Sequence, residues 1–386
     1  MKEGCHLTMR RHAGAAFGIT VMVLAMLASQ TVHASTLAAG AAGVTTGASS
    51  NPCGTSATPP VTYQHVIWIW MEDSTLPKVI GNSAAPYITS LAKECGYAKG
   101  WLDNVINGAS NYVPGVAGAN CNDETLHAIA PNGDVCITQG LSPAAKCTAS
   151  SCKNTVAITS IFEQLQNVPG DSWKAYEESM PSNCFTSNTS SKTAPYYVRH
   201  NPAPYLSDLR IVGQLGGNTC ATNDVAVPTT SCNGTSCTPN ETSNPFYNDL
   251  TNNTLPSFSF VTPNACNNMH NKCTPYANKV TNGDQWLSTW LPIITGSPAY
   301  QSGNTAVFIM WDQGKVGSAI PNVIVAPTVV PGTVVPASTT INNVAALGTT
   351  ETMLGLGPIG CATGTQGDGS KCPLGSTTDL RSLFNI

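Results

Sequence analysis

The sequence predicts an α/β fold, a three-layer α/β/α sandwich around a mostly parallel sheet. Three observations lead there. Two unbroken apolar runs of strand length, Tyr63 to Met71 and Ala306 to Trp311, lack the alternation of a half-exposed strand and so suit strands buried on both faces. Segments with helical spacing lie between the strand-like runs, and alternation of this kind produces parallel sheets with helices on both sides. The chain has 386 residues, 41% of them hydrophobic, enough for a sizeable core around one sheet.

Element by element, Tyr63 to Met71 is the first strand, dense in β-branched and aromatic residues. Pro86 to Cys95 shows helical spacing through Tyr87, Ile88, Leu91 and Ala92. Ser160-Ile161-Phe162-Glu163 is a capping-box pattern opening a helix through Leu165, and Trp173 to Tyr176 reads as a short strand. Phe258 to Val261 is a further strand. Asp284 is expected to cap a helix carrying Trp286, Leu287, Trp290 and Leu291. Ala306 to Trp311 and Val323 to Val325 are strands, and Asn342 to Leu354 is a last helix with Gly355 placed to end it. Two stretches rich in turn residues and cysteines, 120–155 and 215–256, read as loop insertions in a domain spanning 61–386.

The N-terminus sets the expected compartment. Lys2, Arg10 and Arg11 precede an apolar run from Ala13 to Ala28, and Val32-His33-Ala34 ends in the small residue a signal peptidase accepts. Residues 1–34 are therefore predicted to be a signal peptide cleaved near Ala34, residues 35–60 a flexible leader, and the mature chain secreted, extracellular or periplasmic. Ser29-Gln30-Thr31 interrupts the run before it reaches membrane-spanning length, and no later stretch is long enough for a stable span. Charged residues make up only 10% and the net charge is −4, so no basic face is available for nucleic acid. Of 15 cysteines, Cys5 lies in the predicted signal, leaving an even 14. In an exported chain that favours disulfides over zinc, since no CxxC pair or histidine cluster accompanies them. Cys147/Cys152, Cys232/Cys237, Cys266/Cys273 and Cys361/Cys372 are the local pairs expected to bond.

Two apolar strands end alike. His65 to Met71 runs into Glu72-Asp73, and Ala306 to Trp311 runs into Asp312-Gln313. Ligands of open α/β sheets sit beyond the carboxyl ends of the strands. Either pair alone reads as an ordinary polar strand end. Together, Glu72, Asp73, Asp312 and Gln313 read as oxygen donors for one hard divalent cation, Mg²⁺ or Ca²⁺.

From here the chain resembles the bacterial phosphoesterases, which include secreted acid phosphatases and phospholipases C and share an alkaline-phosphatase-like fold. The resemblance rests on Glu72-Asp73, Ile161-Phe162-Glu163-Gln164-Leu165, Ser172-Trp173-Lys174-Ala175-Tyr176 and His200-Asn201-Pro202. It continues through Leu255 to Asn264, Leu291-Pro292, Ser297 to Tyr300 and the strand ending at Asp312, in the family's order over roughly residues 62 to 358. It implies hydrolysis of a small phosphate ester or phospholipid head group, with a metal at Glu72, Asp73, Asp312 and Gln313 and with His200 and His270 as phosphate donors or a leaving-group acid. The departures imply a weakened site. Asn268 and Asn271 stand where the family carries Asp, Gln313 where it carries Glu, and Asn343 where it carries His. Restoring Gln313→Glu and Asn343→His together is then expected to raise activity.

For the nucleophile two registers stay open. Aligning Asn111-Tyr112 without a gap puts Gly108 at the family's Ser/Thr position, and a two-residue deletion puts Ser110 there. With Ser110, a helix N-terminus would stabilise the attacking alkoxide and the phosphate. The functional expectation is a secreted phosphoesterase-family protein with a Ser nucleophile and a partly degenerate site. The alternative is an inactive secreted binding protein on the same fold. His65, inside the first strand, is expected to be a structural histidine.

Overall fold

The computed structural model describes residues 51–102, 108–119, 128–129, 135–136, 141–148, 152–211, 218–233, 236–274, 278–315, 317–365 and 372–386. The predicted signal peptide, most of the leader and most of the 120–155 stretch lie outside them. Val44–Ile386 is one compact unit.

Its centre is an eight-stranded sheet. In chain order the strands are β1 His65–Met71, β2 Gly96–Ala98, β3 Trp173–Glu178, β4 Asp224–Val227, β5 Phe258–Thr262, β6 Thr305–Trp311, β7 Val323–Val325 and β8 Thr333–Val335. Across the sheet they run β8-β2-β7-β6-β1-β5-β3-β4. Only β7 runs against its neighbours. β1 and β6, the two long apolar runs, lie side by side in parallel, and Met71 pairs with Trp311. That register brings Glu72 and Asp312, each the next residue, to the same edge.

Five helices matter for the site: α1 Pro86–Glu94, α2 Gly108–Ala117, α3 Ile161–Gln166, α4 Lys279–Gly296 and α5 Asn343–Met353. Successive strand side chains point to opposite faces, and β1 shows what covers each face. Trp68 donates its indole N–H to Thr350 of α5 at 3.0 Å, and Trp70 lies against Gly115 of α2. On the other face Met71 lies against Gly283 of α4. Both faces are thus covered by helices, which is why β1 is apolar at every position from Val66 to Met71 and fully buried there.

The expected helices and long strands are present with small changes at their ends. Ser160 caps α3 by accepting from the Glu163 N–H, and Asn342 caps α5, with Gly355 at φ 74° just past its end. Asp284 does not cap its own helix. α4 begins earlier, at Lys279 under an Asn278 cap, and Asp284 lies inside it. From there its carboxylate accepts the N–H groups of Tyr87 and Ile88 at 3.2 and 2.8 Å, serving the first turn of α1, whose Pro86 has no N–H. The 215–256 stretch is also more than a loop, because it contributes β4 to the edge of the sheet beside β3. β2 and β8 are three-residue strands that carry no readable pattern of their own.

Six disulfides join described residues: Cys53–Cys95, Cys147–Cys152, Cys184–Cys220, Cys232–Cys237, Cys266–Cys273 and Cys361–Cys372. All four expected local pairs are among them. The other two close loops of 42 and 36 residues. Each bridge typically contributes ~2–4 kcal/mol. The folded, unreduced protein is therefore expected to leave these twelve cysteines unlabelled by an alkylating reagent, and reduction should lower its melting temperature strongly. Alkylation of several of them in the native protein would contradict the pairing. No helix among the described residues is long and apolar enough to cross a membrane.

Candidate functional site

The site forms where β1 and β6 end. The Asp312 N–H donates to the Met71 carbonyl at 3.0 Å, continuing the ladder one residue beyond the strands. Glu72 and Asp312 are both buried, at 1% and 0% exposure, and their carboxyl groups are within hydrogen-bonding reach of each other. Burial, reinforced by the charge of Asp73, raises the Glu72 carboxyl to about 8. Burial and the charge of Glu72 push Asp312 well above the usual carboxylate range. Two carboxylates this close and this dry cannot both ionise unless a cation stands between them.

The chain then turns sharply. Asp73 has φ 49°, a left-handed conformation unusual for a residue with a side chain. Its N–H donates to Asp312 Oδ1 at 3.3 Å, and the Ser74 N–H donates to the Gln313 carbonyl at 3.1 Å, so the second acidic pair holds the turn of the first. Glu72, Asp73, Asp312 and Gln313 therefore do meet at one sheet edge. They are not equivalent, however. Asp73 is about one-third exposed, and its oxygens face the Gln313 amide N–H at 2.8 Å, Lys279 Nζ at 3.5 Å and His270 Nε2 at 4.0 Å. Unpartnered buried oxygens belong to the others: Glu72 Oε2, Asp312 Oδ2 and Gln313 Oε1. Buried oxygen atoms without donors are what a hard divalent cation takes as ligands. The donor set fits such a cation through Glu72 and Asp312, whereas Asp73 is engaged by Lys279 and the Gln313 amide.

The two expected histidines are here. His200 is the last residue of the 3₁₀ turn Val198–His200 and is 3% exposed, with Nε2 3.1 Å from Glu72 Oε1. His270 sits on the loop after β5, its ring centroid 5.0 Å from that of His200. One ligand atom each from Glu72, His200 and His270 falls within 4.8 Å of the others. Burial lowers both imidazoles, His200 well below its ordinary value, and so favours their neutral forms. The loop carrying His270 is held from several sides. Its Asn264 N–H and Asn267 amide donate to the buried Glu178 carboxylate at the end of β3, and Cys266–Cys273 closes it. Met269, at φ 77°, packs on Gly283, where any Cβ would meet it at 2.5 Å. His65, expected inside the core, is only half-buried at the start of β1, its Nδ1 3.0 Å from the Pro256 carbonyl.

By helix periodicity Ser110 does not share the face of α2 that carries Tyr112. Tyr112 donates its hydroxyl to Glu72 Oε1 at 2.9 Å and stacks on His200, and Gly115 meets Trp70, so these two residues mark the face turned to β1. At 100° per residue, Ser110 falls roughly 160° from Tyr112, on the opposite face, while Gly108 falls within roughly 40° of it. Ser110 is buried there, in the first turn of the helix.

Three participants have no counterpart among the sequence expectations: Tyr112, Arg199 and Lys279. Arg199 donates to His270 Nε2 at 3.0 Å and stacks 4.2 Å over Tyr197, and Lys279 pairs with Asp73. Scarcity was the available signal for the cations. In a chain with 17 Lys and Arg in 386 residues, an Arg adjoining a site histidine stands out. Asn343, expected to stand in a lost phosphate-donor position, is instead fully engaged. It accepts from the Trp101 indole at 2.9 Å and the Asn322 amide at 3.2 Å, and donates to the Trp311 carbonyl at 3.1 Å.

The chain is 25% identical over 313 residues to a phosphatidylinositol-3-phosphatase of Mycobacterium tuberculosis, covering 80% of this chain and 83% of that protein. Among solved structures, a protein in the alkaline phosphatase superfamily from Vibrio parahaemolyticus matches 79% of this chain and 68% of its own, at 12% identity and a TM-score of 0.46. The Phosphoesterase family model matches residues 68–318, a span that opens inside β1, takes in every site residue named above and ends just past Gln313. With more than half of its length matched by that model, the chain belongs to the Phosphoesterase family.

Proposed function

We propose that this chain hydrolyses a phosphate ester at a divalent cation held by Glu72 and Asp312. The observation that carries the reading is the pair of buried, apposed carboxyl groups whose outer oxygens, Glu72 Oε2 and Asp312 Oδ2, have no partner. When bound, Mg²⁺ or Ca²⁺ would supply Lewis-acid polarisation of a phosphoryl oxygen. Arg199 and Lys279 offset the negative charge of the ester from the rim, and the His200 ring, fixed by stacking on Tyr112, faces the same space. Likeness to the phosphatidylinositol-3-phosphatase makes a phosphorylated lipid head group the substrate class to test beside small esters. The extracellular or periplasmic location remains part of this proposal, and the disulfides support it.

A second reading, binding without turnover, draws on helix periodicity, which puts Gly108 rather than Ser110 on the face of α2 that carries Tyr112. Turnover of an aryl phosphate with Mg²⁺, Ca²⁺ or Mn²⁺ separates the two. The expected result is weak, metal-dependent hydrolysis, abolished in Glu72→Gln and preserved in Ser110→Ala. Phosphate binding with no turnover under any metal would establish the second reading instead. Robust turnover lost in Ser110→Ala would make Ser110 the nucleophile after all.

A further inference from the structure

The two site histidines lie against asparagines, and the geometry leaves each amide only one orientation. Asn268 Oδ1 accepts from the backbone N–H of His270 at 3.0 Å. A backbone N–H can only donate, so the other end of the amide, the NH₂ group, must be what faces His200 Nδ1 at 3.3 Å. Since that NH₂ group can only donate, His200 Nδ1 must carry the lone pair. In a neutral ring the proton is then on Nε2, directed at the space beside Glu72 Oε1. At His270 the logic starts from the opposite nitrogen. The Arg199 guanidinium can only donate, and it meets Nε2 at 3.0 Å, so this nitrogen carries the lone pair. The proton is on Nδ1, donated to Asn271 Oδ1 at 2.7 Å, and the Asn271 NH₂ group passes on to the Tyr197 hydroxyl at 3.0 Å.

We propose that His200 and His270 are held in opposite neutral tautomers, His200 protonated at Nε2 and His270 at Nδ1, with Asn268 as the residue that sets the first. Although its Nε2 is close to Glu72, His200 is then a hydrogen-bond donor to the site and offers no lone pair to a cation. His Nε2 atoms that bind metals have their proton on the other nitrogen, donated to a carboxylate or carbonyl. Here an amide NH₂ occupies that place. Within the group formed by Glu72, His200 and His270, only the carboxylate offers a ligand atom, because the Arg199 N–H already occupies the His270 Nε2 lone pair, and His200 serves as a positioning donor. Its Nε2–H lacks an aligned acceptor among the described residues, which leaves it for an oxygen of a bound ester. This last role rests on the proposed function. The tautomers do not.

Long-range proton–nitrogen correlation spectra of the full, metal-free chain with labelled histidines test the assignment near neutral pH, with His200→Gln and His270→Gln identifying the two rings. The expected wild-type pattern is Nε2–H for His200 and Nδ1–H for His270. Asn268→Asp should move the His200 proton to Nδ1, where a carboxylate can accept it, and leave His270 unchanged. A wild-type His200 protonated at Nδ1 or at both nitrogens would overturn the proposal, as would an Asn268→Asp spectrum with no change at His200. Should Asn268→Asp fail to fold, the wild-type spectrum alone decides. Absence of phosphatase activity would not alter these spectra, so the tautomer assignment and the functional reading fail separately.

Discussion

Glu72→Gln is expected to stabilise the metal-free protein at pH 8 while making it indifferent to divalent cations. The folded Glu72 carboxyl is raised from 4.5 to about 8 by burial and the Asp73 charge. Below the unfolded value both states hold the proton and nothing is lost. Between about pH 4.5 and 8 the unfolded chain has released it while the folded protein still binds it, so stability falls as pH rises through that window. The total is on the order of a few kcal/mol, because each tenfold mismatch in proton affinity corresponds to about 1.4 kcal/mol. Glutamine has no proton to lose, and its carbonyl oxygen can still accept from Tyr112. Melting curves of wild type and Glu72→Gln should therefore coincide near pH 4 and diverge toward pH 8, with added Mg²⁺ or Ca²⁺ closing the gap by stabilising the wild type alone. Parallel curves across the range would mean that the carboxyl pair carries no such penalty.

The second large effect is a loss. Asn343→His, which family resemblance alone suggests as a repair, is expected to destabilise the protein by about 2–4 kcal/mol and to yield no gain in turnover. The Asn343 side chain makes three buried hydrogen bonds, and through the Trp311 carbonyl it braces the residue before Asp312. An imidazole cannot accept from Trp101 and Asn322 with one atom while donating to Trp311 from the atom beside it. At least one buried group is left unpaired, at about 1–3 kcal/mol, and the larger ring adds strain. Thermal denaturation should show a melting temperature lower by roughly 4–10 °C. An unchanged melting temperature together with raised turnover would show that position 343 belongs to the reacting site. Gln313→Glu is a doubtful repair for a related reason, since it places a second carboxylate against Asp73 where an amide N–H now donates.

How much of this was legible in the sequence depended on distance along the chain. β1 and β6 announced themselves because each is a run buried on both faces, and the acidic residues ending them followed by simple adjacency. The four local disulfides were legible because a loop of 5 to 11 residues has few other partners. Cys53–Cys95 and Cys184–Cys220 were not, since nothing local distinguishes those cysteines from the rest. β2 and β8 owe their place to neighbouring strands rather than to any pattern in three residues. Asp284 looked like a cap and is one, but for a helix almost two hundred residues away. The difference between Asp73 and Glu72 was invisible as well. Both are acidic residues at a strand end, and only the folded surroundings show one facing Lys279 and the other an unpaired buried oxygen. Tyr112 reached Glu72 through helix rotation, which no local sequence pattern announces.

Calorimetric titration of the purified chain with Mg²⁺, Ca²⁺ and Mn²⁺ at pH 8, beside Asp312→Asn, tests the central claim most directly. Wild type should bind one divalent cation with release of the proton that Glu72 and Asp312 hold between them. Asp312→Asn, with its fold intact by circular dichroism, should bind at least ~10²-fold more weakly, since even outer-shell partners of metal ligands are worth 10–100-fold. Failure of the wild type to bind any of the three, or equal binding by wild type and Asp312→Asn, would contradict a cation site at the ends of β1 and β6.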